Sequence, residues 1–147
     1  MTVHRGRSHE YLPHTADAGL IARAPTLAGL FEEAALALAE LTADTAGVDG
    51  APVIAGPLAA GDLEGLAFAW LNELIGLAES AGEALVGAVV AQLGPAGEGW
   101  TVEGRAMLAP WGRPGLRGRR HVKAITFHRL AVEEGPEGFT LTAYADL

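Results

Sequence analysis

The last two residues of this chain, Asp146 and Leu147, carry groups that could bind a divalent cation. Asp146 supplies a side-chain carboxylate and Leu147 supplies the α-carboxyl group, so two hard anionic groups lie within one residue of each other. Hard cations such as Ca²⁺ prefer oxygen ligands of this kind, but they need several more of them. From these residues alone, solvated charges at a frayed chain end are the more ordinary interpretation.

A second candidate lies in the stretch HTAD, residues 14–17. Asp17 comes directly before a predicted strand and could simply shape the turn into it, and a lone His14 is more often structural than a ligand.

Familiar enzyme signatures are missing from the sequence. It has no cysteine, neither of its two serines stands in a nucleophile elbow, and it contains no phosphate-binding glycine loop and no HExxH zinc motif.

Positive charge is concentrated in one region of an acidic protein. The net charge is −8, yet six of the ten Lys and Arg residues lie between positions 113 and 129, and no Asp or Glu occurs between Glu103 and Glu133. This region could be a solvated loop, or it could face an acidic partner or an RNA backbone. The negative net charge argues against binding of nucleic acid by the whole protein surface, so any RNA contact is expected to be indirect. The candidate partner contacts are Arg113, Arg117, Arg119 and Arg120.

Length and composition predict a single domain over residues 1–147, with residues 1–10 as a flexible N-terminal segment. Half of the residues are hydrophobic, which is enough for a packed core. The absence of cysteine suits a reducing compartment. The longest apolar run, residues 84–93, is too short to cross a bilayer, and the polar start does not resemble a signal peptide. We therefore expect a cytoplasmic protein with no membrane partner.

The elements that must position these residues form an α+β pattern. Apolar side chains at helical spacing predict one helix after Thr26 and another from Asp62 to near Gly82, with Thr26 and Asp62 as N-caps. Glu32, Glu33 and Glu40 fall largely off the apolar stripe of the first helix. Residues 47–61 indicate turns and a weak strand, and residues 109–120 a Gly/Pro/Arg loop. Strands are predicted over residues 18–24, 85–93, 100–108, 121–133 and 139–147, so two amphipathic helices should pack on a mostly antiparallel sheet.

The last two predicted strands form a hairpin whose register can be extrapolated from its turn. If Glu133 faces Phe139, regular alternation places Ile125 opposite Leu147 and Asp146 opposite Thr126. Lys123, two residues beyond Ile125 on the same face, would then lie diagonally beside the chain's terminal carboxylate.

Four blocks of the sequence together resemble the archease family. HTADAGLIARAPTLAGLFEEAALALAELTAD is similar to the opening of that family, and DLEGLAFAWLNELIGLAES is similar to its second helix. HVKAITFHRLAVEE is similar to its V-K-A-x-T-x-H strand, and YADL to its C-terminus. The blocks follow the family's order and cover most of the chain. The loop of residues 109–120 departs from the family, which often carries acidic residues there.

The resemblance implies a metal site and an accessory role. The Asp of HTAD and the C-terminal Asp and carboxylate converge in archeases on a divalent cation, usually described as Ca²⁺. Carried over, the ligands are Asp17, Asp146 and the Leu147 carboxylate. Lys123 matches a nearby lysine of the family, and His14 matches the motif without being a ligand.

In function, the resemblance implies an activator of an RtcB-type RNA ligase in tRNA splicing or RNA repair, and no stand-alone enzyme. That ligase joins RNA 3′-phosphate or 2′,3′-cyclic-phosphate ends to 5′-hydroxyl ends with GTP and Mn²⁺, and archeases promote its guanylylation and repeated turnover. Two alternatives stay open at this point. One is a modulator of a tRNA methyltransferase, and the other is a metal-dependent phosphoesterase that uses Asp17 and Asp146 as ligands.

Overall fold

The computed structural model describes residues 3–4, 6–12 and 17–147, with the backbone alone for Val3, His4 and Asp17. Two helices lie within these residues, α1 (Leu27–Thr42) and α2 (Leu63–Ala81). The strands are β1 (Val3–His4), β2 (Arg7–Leu12), β3 (Asp17–Ala24), β4 (Ala43–Asp44), β5 (Ala51–Ala60), β6 (Glu83–Ala96), β7 (Gly99–Pro110), β8 (Arg117–Gly118), β9 (Ala124–Gly135) and β10 (Gly138–Asp146).

The strands form antiparallel sheets that the two helices join together. A five-stranded sheet has the order β1-β2-β3-β10-β9, a three-stranded sheet has the order β5-β7-β6, and β4 pairs with β8. Helix α1 packs on β3 and β6, and α2 packs on β5 and β9, so each helix contacts both larger sheets. The α+β architecture predicted from the sequence is confirmed.

Both helices begin at the residues that the sequence predicts. The hydroxyl of Thr26 accepts a hydrogen bond from the amide of Gly29 at 3.0 Å, and the carboxylate of Asp62 accepts one from Gly65 at 2.7 Å. Each bond satisfies an amide that has no partner inside its helix. Helix α2 ends at Gly82, whose φ of 63° is readily adopted by glycine. No helix in the described part of the chain is long and apolar enough to span a membrane.

The core is continuous from one sheet through the helices to the other. Trp70 is fully buried, its ring lies 6.4 Å from that of Phe31, and its indole N–H donates a hydrogen bond to the Phe31 carbonyl at 3.1 Å. This contact fixes α2 against α1 and gives the large ring's one polar atom a partner.

Carboxylates of the helices also bind the outer strands of the sheets directly. Each accepts a hydrogen bond from a strand amide: Glu32 from Val90 at 2.9 Å, Glu73 from Gly56 at 3.0 Å and Glu64 from Val132 at 2.9 Å. A carboxylate that accepts an amide proton makes one of the stronger hydrogen bonds in proteins. The helices are therefore fixed to β5, β6 and β9 by polar as well as apolar contacts.

The N-terminal region differs from the expectation of a flexible segment over residues 1–10. Residues 7–12 form β2 and pair with β3. His9 is 1% exposed and contacts the carboxylate of Glu33, which is fully buried and also binds the Arg7 guanidinium at 3.1 Å. Charged groups can be buried when they compensate one another in this way. Apolar periodicity does not detect such a pair, because neither a histidine nor a glutamate counts as a core residue.

Two further boundaries differ from the sequence-based expectation. Strand β5 covers ten residues where turns and a weak strand were expected, and it bends at Gly56, whose φ is 81°. Strand β9 begins at Ala124, so that residues 121–123 belong to the segment before it and not to the strand.

We expect Leu74→Ala to lower the free energy of unfolding by about 2–5 kcal/mol, because the substitution leaves a cavity at a fully buried position of α2. Urea denaturation measures this change. Ser80→Ala, at an exposed position of the same helix, is the control and should stay within about 0.5 kcal/mol of the parent. Similar stabilities for the two variants would contradict the assigned core face of α2.

Candidate functional site

The strand that begins at Asp17 and the strand that ends at Asp146 are hydrogen-bonded neighbours. Strand β10 pairs with β3 over eight residues, from Phe139 opposite Ala24 to Asp146 opposite Asp17. The backbone register therefore places the acidic residue of HTAD directly opposite that of YADL. This brings together two of the positions that the resemblance singles out, although they lie at opposite ends of the sequence.

Lys123 reaches the same place from the other side of β10. Asp146 pairs with Ala124 of β9, and the amide of Lys123 donates a hydrogen bond to the Asp146 carbonyl at 2.8 Å. The expected proximity of Lys123 to the chain end thus holds for its backbone. Both Lys123 and Asp146 are exposed to solvent.

The register extrapolated from the turn is wrong at both ends of the hairpin. Glu134, not Glu133, faces Phe139, and Asp146 pairs with Ala124, not with Thr126. At the turn the error arises because only Pro136 and Glu137 separate the paired Gly135 and Gly138. At the chain end it arises from a bulge in β9 that lies between two regular stretches of pairing and includes Arg129 at a φ of 55°. A bulge adds residues to one strand without partners on the other, so alternation counted from the turn fails beyond it.

An aromatic contact from α2 accompanies the bulge. Phe127 is 59% exposed, yet its ring stacks on Phe68 of α2 with the centroids 3.9 Å apart and the planes at 10°. Beside it, the ring of His128 lies 6.0 Å from that of Tyr144 on β10. These contacts stabilise the irregular conformation that the hairpin pattern alone would not predict.

Asn72 of α2 holds the start of β9 beside the chain end. Its side-chain amide donates to the carbonyl of Ile125 at 3.1 Å, and its side-chain oxygen accepts from the amide of the same residue at 2.9 Å. Ile125 itself is buried in the core. The segment that carries Lys123 is therefore anchored from the helix side two residues away.

The last residue is also held in place. Leu147 is only partly exposed and packs against the main core, whereas the preceding Asp146 is exposed. Residues at a chain end are usually loosely held, so packing of the Leu147 side chain restricts this end of the chain more than is usual. The interpretation of Asp146 and Leu147 as a frayed terminus is therefore not favoured.

The predicted site residues, the ligands and His14, are described only in part. His14 lies outside the described residues, and for Asp17 the backbone alone is described. Among the side chains that the structure describes, no three His, Asp or Glu residues form a group that could hold a metal ion. Any site at this edge would therefore need Asp17, the Leu147 carboxylate or a partner's groups in addition to Asp146.

The Gly/Pro/Arg loop of residues 109–120, called the arginine-rich loop from here on, lies against the C-terminus of α1 and leads into the segment that carries Lys123. Strand β8 pairs with β4, and the amides of Arg119 and Arg120 both donate to the carbonyl of Thr42, at 2.8 and 3.3 Å. The guanidinium of Arg119 also donates to the Glu40 carbonyl at 2.9 Å. Cations beside the last carbonyls of a helix are electrostatically favoured. All four arginines of the loop are exposed: Arg113, Arg117, Arg119 and Arg120.

Tyr11 is a polar residue at this end that sequence reasoning missed. Its hydroxyl donates to the Ala37 carbonyl at 2.8 Å and so connects β2 to α1. Burial, with a further contribution from Glu40, raises the pKa of Tyr11 well above its usual value. The hydroxyl therefore stays protonated and keeps its role as a donor. Alternation along residues 8–12 is a signal for this strand, but the expected flexible segment covers residues 1–10, and the sequence analysis assigns no element to Tyr11.

An apolar cavity of about 340 Å³ opens beside the arginine-rich loop. Leu38 of α1, Ile75 of α2, Leu85 of β6 and Val122 of the segment before β9 line its interior. These residues are distant in sequence, so no local pattern predicts that they enclose a common space.

The chain is similar over nearly its whole length to a described protein family. Residues 9–147 match the sequence profile of the family described as the Archease protein family (MTH1598/TM1083). A protein archease of Saccharolobus islandicus is 33% identical, with 96% of this chain and 99% of the relative covered. A protein archease of Methanosarcina acetivorans is 29% identical, with 97% and 98% covered.

A solved structure has the same fold. The solution structure of Methanobacterium thermoautotrophicum protein 1598 superimposes with a TM-score of 0.78 and covers 95% of this chain and 98% of its own. Its sequence is 28% identical to this one.

We expect Asn72→Ala to loosen the start of β9, because the amide and the carbonyl of Ile125 both lose their partner. Loss of these two bonds should cost about 1–3 kcal/mol and speed hydrogen exchange at Ile125. Glu64→Ala is the matched control, since it frees the Val132 amide farther along β9. Exchange measured by NMR should rise at Ile125 in the first variant and at Val132 in the second. Equal effects of both variants at both amides would contradict local anchoring.

Proposed function

The chain belongs to the archease family, and we propose that it is an accessory protein that activates an RtcB-type, GTP-dependent RNA ligase in tRNA splicing or RNA repair. It would promote guanylylation and multiple turnover of the ligase without catalysing a reaction itself. The proposal includes a divalent cation, with Ca²⁺ as the first candidate, held by Asp17, Asp146 and the carboxylate of Leu147.

The observation that carries the proposal is the backbone pairing around the end of β10. Asp17 is the register partner of Asp146 on one side, and Lys123 is hydrogen-bonded to the Asp146 carbonyl on the other. Three motif positions that are far apart in the sequence are thus adjacent in the fold. Coincident placement of this kind is expected if the residues act as one site.

The chemistry of the donor set fits a hard divalent cation. Asp17 and Asp146 would supply side-chain carboxylates and Leu147 the terminal carboxylate, all of them oxygen ligands. Because Ca²⁺ takes six to eight oxygens, these groups leave positions open for water or for a partner's oxygens. A bound cation would supply positive charge that attracts phosphate or carboxylate groups of the partner.

The exposed residues around this edge would make the contact with the ligase. The Lys123 ammonium is solvent-exposed while its backbone is fixed, which suits a point contact with a phosphate oxygen. The arginine-rich loop extends the positive surface beside it. On a protein with a net charge of −8, this local patch would orient the approach of an acidic partner.

The direct test is a ligase guanylylation assay with and without this protein. We expect faster transfer of GMP to the ligase and more than one ligation per ligase molecule when the protein is present. A Lys123→Ala variant that binds metal normally should give much weaker stimulation. Equal rates with and without the parent protein would contradict the ligase role.

We expect graded losses of metal affinity when the proposed ligands are removed in turn. A C-terminal extension converts the Leu147 carboxylate into a neutral amide whose carbonyl can still coordinate, so it should weaken Ca²⁺ binding. Asp146→Asn should weaken binding further, and Asp17→Asn combined with Asp146→Asn should abolish it. Isothermal titration calorimetry with Ca²⁺ measures the series.

Two control variants separate ligand loss from general electrostatics. Lys123→Ala should not lower Ca²⁺ affinity, because an ammonium group repels the cation. Asp49→Asn removes an exposed carboxylate elsewhere and should leave Ca²⁺ binding unchanged. Parental affinity in the double variant of Asp17 and Asp146 would place the metal elsewhere and remove the proposed link between the two motifs.

We expect Arg117→Ser combined with Arg120→Ser to reduce stimulation of the ligase while leaving the fold intact, because both side chains are exposed. The reduction should be larger at low salt, where screening of surface charges is weaker. Stimulation assays at two salt concentrations, with thermal unfolding as the folding control, measure the effect. Full stimulation of the ligase by this variant at low salt would contradict a partner contact by these arginines and would indicate a solvated loop.

A further inference from the structure

We propose that the apolar cavity beside the arginine-rich loop is an anchor site for an acidic segment of a partner protein, which inserts one large apolar side chain into it. This inference rests on the proposed function in one respect, namely that the molecule bound in the cavity is part of a protein. It adds the chemistry of that bound segment, which is acidic and carries one large apolar side chain.

The interior of the cavity is formed by buried apolar side chains. Leu38 is fully buried, and Leu85, Val122 and Ile75 are between 4% and 8% exposed, so all four are held by the main core. A cavity of about 340 Å³ is at the lower end of the range of binding pockets, about 300–1,000 Å³. It suits a single large side chain. Interfaces typically draw much of their energy from an anchor residue in a pocket of this kind.

The lining of the cavity includes two cationic side chains. Arg119 and Arg120 both line it, and the amides of both arginines are fixed to the Thr42 carbonyl. Arg117, two residues before Arg119, is exposed and does not line the cavity. None of the salt bridges between the described side chains involves Arg117 or Arg120. These two charges are therefore available to a partner.

The lining also includes two acidic side chains. Glu79 and Glu83 line the cavity, and Glu79 approaches the His121 ring at 3.3 Å. The partner's carboxylates would therefore lie along the arginines and away from these glutamates. Trp111, which is 46% exposed at the opening, offers an aromatic surface for the flanking backbone or side chains.

The position of the cavity connects it to the edge that carries Asp146. Val122 lines the cavity, and the next residue, Lys123, donates its amide hydrogen to Asp146. A partner segment anchored in the cavity would hold the rest of that partner against the end of β10. Anchoring next to a charged site raises the local concentration of the partner there.

The test uses random dodecapeptides displayed on phage and selected on the full chain. We expect the enriched peptides to carry an aromatic or large aliphatic residue flanked by Asp and Glu. A synthetic, fluorescein-labelled peptide of the enriched sequence then gives affinities by anisotropy. Replacement of its apolar residue by alanine should weaken binding about tenfold or more, and higher salt should weaken it as well.

Matched variants locate the binding. Ala78→Phe places a ring in the cavity from a lining position of α2 and should weaken peptide binding about tenfold or more. Ser80→Phe puts the same ring on an exposed position of the same helix that does not line the cavity, and should leave binding unchanged. Thermal unfolding confirms that both variants fold.

The proposal is overturned if no peptides are enriched, if the enriched peptides are neutral or basic, or if the peptide binds the Ala78→Phe variant and the parent with equal affinity. Binding of N-acetyl-phenylalanine as tightly as the peptide would also overturn it, because the cavity would then be a small-molecule site. None of these measurements involves an RNA ligase, so failure here is distinct from failure of the guanylylation assay.

Discussion

The arrangement of this protein depends on β10 being hydrogen-bonded along both of its edges. One edge pairs with β3 and the other with β9, so the last strand of the sequence lies inside the five-stranded sheet. A strand bound on both sides cannot slip by one residue without turning its buried face to solvent. Leu141, Ala143 and Ala145 are all buried, which fixes that face. Positions 17, 123 and 146 are neighbours because this register leaves no alternative.

Elements with strong local signals could be predicted from the sequence. Thr26 and Asp62 cap the two helices as expected, because their side chains satisfy amides within three residues. The antiparallel pair formed by β6 and β7 also follows from apolar runs separated by a Gly-rich turn. The proximity of Asp17 to Asp146 could not be derived from periodicity and came from the resemblance to a family, since pairing between distant strands leaves little local trace.

Features that depend on several distant elements could not be predicted. The bulge of β9 is accompanied by stacking of Phe127 on Phe68, a contact between residues of different elements, so the register extrapolated from the turn fails beyond the bulge. Burial of His9 with Glu33 requires two polar residues to compensate each other, and hydropathy scores each of them as exposed. The apolar cavity needs residues from both helices and two other segments. In each case the determining contact is tertiary.

The hydrogen bonds from helix side chains to strand amides have a consequence for association between copies of the protein. Strands β5, β6 and β9 are the outermost strands of their sheets, where unpaired amides and carbonyls could template the addition of a foreign strand. Glu73, Glu32 and Glu64 each occupy one such amide, and Asn72 occupies both backbone groups of Ile125. Register irregularities interrupt the same three strands. The helices thus leave fewer unpaired amides on these outer strands, which disfavours edge-to-edge addition of a second chain.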